Sequence, residues 1–224
     1  MKRGWRRRLI GGRINAALGI CGVAFATLLY VPAVLAFPYR TQIGTTSVLS
    51  ERPVDPHIGA VLTRADRLLA ASPLNRPGLH RQVVLTDGGW RWRVLALSAS
   101  GAFALRRPFS SVLVVNRNDV ASDRVFNPAP VANERSLSGA IAHETMHLLV
   151  ARHLGEWGAA FLPTWKLEGY ADHVAQESSV RAGDEARIRA IDPHAPALVY
   201  YDGRRRVAAE LASNGGSVDR LFGR

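Results

Sequence analysis

At 224 residues and 47% hydrophobic content, the chain is long enough for one ordinary core plus one apolar segment and too short for two large domains. A formal charge of +11 invites a nucleic-acid partner, yet six of the 29 basic residues (Lys2, Arg3, Arg6, Arg7, Arg8 and Arg13) precede residue 14. The remainder carries 23 basic against 18 acidic residues, without the dense Lys/Arg stripe that phosphate tracking needs, so nucleic acid is set aside as a partner.

Residues 1–13 form a basic region expected on the cytoplasmic side, and residues 14–37 follow as 24 residues without a formal charge, long enough to span a bilayer as one helix. The expectation is a single-pass anchor in a cell (inner) membrane, with the rest of the chain on the far side. The competing expectation is a cleavable signal, because Pro32 can end the apolar helix and Val34-Leu35-Ala36 offers a cleavage point. The single cysteine, Cys21, lies in this segment, which excludes an intramolecular disulfide and a cysteine-ligated metal site.

Residues 38–58, with Pro38, Gly44, Pro53 and Pro56, read as a linker holding one short strand near residues 47–49, and residues 59–224 as the folded domain. Asp55 and Pro56 open a helical pattern in which Ile58, Val61, Leu62, Ala65, Leu68 and Leu69 recur until Ser72-Pro73 stops it. Residues 82–86 and 90–97 read as two strands joined by Asp87-Gly88-Gly89 in a hairpin-like turn. The clearest strand is Ser111-Val112-Leu113-Val114-Val115-Asn116, rich in β-branched residues. An irregular stretch with Pro128 and Pro130 follows, and the chain beyond it looks helical. The expected fold is α+β: a small N-terminal β-sheet, then a helical half, with one N-terminal transmembrane helix.

Within that helical half stands His143-Glu144-Thr145-Met146-His147, an H-E-x-x-H pattern in an apolar setting. Residues four apart share a helix face, so His143 and His147 can offer two imidazole nitrogens to one ion while Glu144 reaches a water beside it. With cysteine excluded, any metal must sit on histidine and carboxylate. A helix whose histidines are merely hydrogen-bonded remains the plain alternative.

A second segment, Trp165-Lys166-Leu167-Glu168-Gly169-Tyr170-Ala171-Asp172, lies 21 residues beyond His147 counted to Glu168. Together the two segments resemble the gluzincin zinc metallopeptidases, the thermolysin- and aminopeptidase-like group. The resemblance implies a Zn2+ cofactor held by His143, His147 and Glu168, Glu144 as general base, and Asp172 behind His143. It also implies a peptide or protein substrate paired with an edge strand, for which Val112, Val114 and Asn116 are the candidates. Tyr200-Tyr201-Asp202-Gly203 is similar to the Y-x-x-G element of the aminopeptidase branch, making Tyr200 the implied oxyanion donor, with Tyr201 and His194 as alternatives. The G-x-M-x-N motif that reads a free amine in that branch is absent, which points to an endopeptidase.

His153 gives the string H-E-x-x-H-x-x-V-x-x-H, one residue from the metzincin pattern, but Val150 stands where a glycine must let the chain turn. On a continuing helix His153 lies about 9 Å along the axis from His147, too far to share an ion. The expected function is a membrane-anchored, exported zinc-dependent peptidase. A catalytically silent domain that binds a peptide or envelope partner is the alternative.

Overall fold

The computed structural model describes residue 15 and residues 18–181 and 183–224. A five-stranded sheet is built from β1 (Tyr39–Ile43), β2 (Thr46–Ser50), β3 (Arg81–Leu85), β4 (Ala104–Arg106) and β5 (Val112–Val115), in the order β1-β2-β3-β5-β4. The three inner strands run parallel, Val83 facing Val48 on one side and Leu113 on the other, and antiparallel β1 and β4 close the two edges. Parallel neighbours need crossovers, supplied by helix α1 (Ile58–Leu69) between β2 and β3 and by α2 (Trp90–Ala96) between β3 and β4–β5.

Both sheet faces are covered, which is why Val48-Leu49 of β2, Val83-Val84-Leu85 of β3 and all of β5 are apolar on both faces. Val48, Val83, Leu113 and Val115 join α1 and the long helix α3 (Leu137–Leu154) in the main core. Leu49, Val84, Val112 and Val114 face the other way, onto Trp92, Leu95 and Ala96 of α2. Residues 90–97 are therefore a helix and not the expected strand. Their Trp-Arg-Trp-Arg alternation imitates a period of two, but burial of Trp92, Leu95 and Ala96 follows the i, i+3, i+4 rule.

Two further expectations change. The presumed linker contributes both β1 and β2 to the sheet. The presumed irregular stretch before α3 holds a second, three-stranded antiparallel sheet, β6 (Asn118–Asp119), β7 (Arg124–Phe126) and β8 (Glu134–Ser136), too short to register as a sequence pattern.

The transmembrane helix expected over residues 14–37 is overturned: among the described residues no helix is long and apolar enough to cross a membrane. The described helical backbone of residues 18–30 stops at Val31, and Pro32 opens one 3-10 turn, Pro32–Leu35. The end of the segment also packs on the domain, where Leu35 joins Trp92 and its carbonyl accepts a 2.8 Å hydrogen bond from Arg91 Nε. The basic region of residues 1–13 lies outside the described residues. The single-pass placement rested on that span.

Beyond α3 come α4 (Glu156–Ala160), α5 (Thr164–Val174), α6 (Glu185–Ile191), α7 (Pro196–Ser213) and α8 (Val218–Phe222). Helices α5 and α7 approach so closely at Gly169 and Gly203 that a Cβ on Gly169 would stand 2.5 Å from the Gly203 carbonyl. This glycine contact brings Glu168 and Tyr200 to one cleft. Gly169→Ala is expected to destabilise the fold by about 1–3 kcal/mol through overpacking, read as a lower urea midpoint at unchanged m-value.

Candidate metal centre

Fourteen of the 18 residues of α3 are buried, so the helix is a central strut and not a half-exposed amphipathic element. Its start is fixed twice. The Ser136 hydroxyl accepts from Gly139 N at 3.0 Å, and the Glu177 carboxylate accepts from Ser136 N at 2.7 Å, placing negative charge at the positive helix end. Its end comes at Gly155, whose φ of 79° turns the chain into α4.

About two and three turns into this strut, His143 and His147 project the same way. Their Nε2 atoms lie 3.0 Å apart. From α5, one carboxylate oxygen of Glu168 stands 3.1 Å from His143 Nε2 and 3.4 Å from His147 Nε2. Tetrahedral ligands at zinc distances of about 2.0–2.1 Å are about 3.3 Å apart, so this triangle has the size that such an ion requires. Glu144 is buried beside it, with a carboxylate oxygen within 4.8 Å of a ring nitrogen of each histidine, near enough to meet an ion directly or to serve as a base next to it. The expected set His143, His147 and Glu168 thus converges.

Behind the triangle, the fully buried Asp172 accepts from His143 Nδ1 at 2.7 Å and from the Arg135 guanidinium at 2.9 Å. The first contact fixes the ring so that Nε2 points to the triangle. The second compensates a carboxylate that burial would otherwise neutralise. Asp172 is held below the usual carboxylate range, since the Arg135 charge and the His143 hydrogen bond outweigh burial. Burial likewise works against the charge on Glu168, but His147 and His143 win and lower it. Burial disfavours the His143 imidazolium too, and the hydrogen bonds to Asp172 and Glu168 overcome it, raising it to about 10. Such a raised value means that the imidazolium stabilises the metal-free fold fully below the ordinary histidine range, and that this contribution is lost as pH rises toward about 10.

Tyr200, in the second turn of α7, lines the same cleft, its ring centroid 6.4 Å from that of His143. Burial and then the carboxylates of Glu168, Glu144 and Asp172 raise its phenol, which keeps the proton for donation. The alternatives are elsewhere: Tyr201 packs in a small cluster with Ile188 and Leu198, and His194 is exposed. His153 pairs at 2.7 Å with Asp219 of α8 and is no part of the site.

The strand assignment needs correction. Val112 and Val114 belong to β5, which is bonded to β3 on one side and β4 on the other and has no free edge. Asn116 is buried, and its side-chain amide donates to Ala102 O, supporting the entry to β4. The edge is β4. Phe103 O and Arg107 N bond to β5, so the strand alternation turns the backbone groups of Ala104 and Arg106 outward, and both residues line the cleft. Sequence reasoning chose the strongest β pattern, which marks a centre, and missed the three-residue edge. It also missed Arg135 and Glu177, for which no spacing rule gives a signal.

Comparison of the chain with protein-family models, with curated proteins and with solved structures returns no match. The site is therefore judged on its own geometry. Since a coordinated imidazole must be neutral, the metal-free protein is expected to release about one proton per Zn2+ bound near pH 7. Calorimetry in buffers of different ionisation enthalpy reads this number as a slope, and a zero slope contradicts the assignment of the charged His143 as a ligand.

Proposed function

We propose that the chain is a zinc-dependent peptidase that hydrolyses internal peptide bonds in an extended polypeptide. The observation that carries the reading is the triangle of His143, His147 and Glu168, with 3.0, 3.1 and 3.4 Å sides, and a free acid, Glu144, beside it. Three protein ligands leave one position open, as in a catalytic site, whereas a structural site closes its shell with a fourth. Bound zinc would supply Lewis acidity, polarising a carbonyl and acidifying a water.

The chain's own groups perform the remaining work. Glu144 takes the proton from the attacking water and returns it to the leaving amine. Tyr200, kept protonated, donates toward the oxygen that becomes negative as the carbonyl turns tetrahedral. Asp172 and Arg135 keep the His143 ring in one orientation throughout. The outward backbone groups of Ala104 and Arg106 can pair with a substrate main chain laid along β4, which favours peptides over other amides. The cleft, about 970 Å³, runs from the triangle past β4 to α4, room for several residues on the way.

Glu144→Gln is expected to lower turnover of an unfolded protein substrate by about 10²–10⁴-fold while the zinc content stays at wild-type level. Glu168→Ala is expected to weaken zinc binding by at least about tenfold. Hydrolysis retained in the first variant, or unchanged metal affinity in the second, refutes the assignment. Tyr200→Phe should cut kcat by about 10²-fold with little change in KM, and a change in KM alone would make Tyr200 a binding residue.

A further inference from the structure

The far end of the cleft carries a feature that zinc chemistry does not require. Arg106, the last residue of β4, reaches α4 with both guanidinium arms, at 2.9 and 2.5 Å from the two oxygens of Glu156. The same carboxylate accepts from Phe109 N at 2.8 Å. Phe109 has a φ of 57°, a left-handed backbone that is a true outlier for a bulky side chain and persists only where the surroundings impose it. Glu156 imposes it here. The result is an aromatic pair, Phe109 edge-on to Trp157 at 5.7 Å, left 60% and 68% exposed. Both rings line the cleft that holds the metal triangle. A fold that spends backbone strain and a bidentate ion pair to keep two large aromatic rings in water is holding them for a ligand.

The position of the pair identifies the ligand. The outward main-chain groups of Ala104 and Arg106 lead along β4 directly to Phe109, so a polypeptide paired with that edge passes the rings. We infer that Phe109 and Trp157 form a clamp that takes a large apolar or aromatic side chain of an extended polypeptide laid along β4, away from the bond at the triangle. The substrate class rests on the peptidase reading, while the clamp itself is a binding site. Its preferred ligand is an exposed apolar stretch, as in an unfolded segment, because folded proteins keep such side chains buried.

The test uses the full chain, zinc-loaded and inactivated by Glu144→Gln, and short Ala/Ser peptides that carry one Phe at successive positions or none. Phe-bearing peptides are expected to bind about tenfold more tightly than the peptide without Phe, an advantage lost on adding Trp157→Ala and kept with Trp157→Phe. Binding that is indifferent to Phe, or an advantage surviving Trp157→Ala, overturns the clamp. Incubating the same peptides with the wild-type chain tests the peptidase reading separately: Phe-dependent binding without any cleavage sinks that reading and leaves the clamp. Cleavage at one fixed distance from Phe supports both, and cleavage at positions unrelated to Phe overturns the clamp.

Discussion

Asp172 is the point through which the site is organised. It has no exposed surface, and one of its oxygens receives His143 from α3 and Arg135 from β8 at the same time. A carboxylate so buried is tolerable only with that compensation, and removing one partner of a buried pair of this kind costs about 3–5 kcal/mol. The arrangement therefore ties three elements together: the strand that leads into α3, the helix carrying both histidines, and the helix carrying Glu168. Any displacement of α5 against α3 breaks the contact that orients His143 and moves the Glu168 oxygen out of the triangle. Stability and site geometry rest on the same interaction.

The surrounding packing serves that constraint. Helix α3 is buried on nearly every side and cannot rotate to present other residues. The contact of Gly169 with Gly203 admits no side chain and lets α7 lie against α5, which is how Tyr200 enters the cleft that α3, α5, β4 and α4 also line. Three carboxylates, Glu144, Glu168 and Asp172, share this small volume with two imidazoles and one guanidinium. The near balance of charge explains how the cluster stays buried, and a divalent cation would replace the repulsions that remain with coordination.

Much of this was legible beforehand where a local rule operated. His143, Glu144 and His147 share a helix face because of a period of 3.6, and Glu168 and Asp172 share another for the same reason, so both motifs survive translation into structure. The core helix α1 and the strands β3 and β5 followed their patterns equally well. Where two periods compete, the reading failed: Trp90-Arg91-Trp92-Arg93 alternates like a strand, but it crosses between parallel strands and must be helical to do so. The apolar N-terminal segment misled in another way: Pro32, read as the end of a cleavable signal, opens a 3-10 turn, and Leu35 joins the core of the domain.

The sequence by itself determined that His143, Glu144 and His147 fall on one helical turn and Glu168 and Asp172 on another, because each set depends on residues a few positions apart. Only the tertiary structure decided which strand is the edge, that Arg135 stands behind Asp172, and that Phe109 meets Trp157 across 48 residues through the Arg106–Glu156 pair. Such contacts join positions distant in sequence, and they are set by sheet order and helix crossing, which no local periodicity encodes.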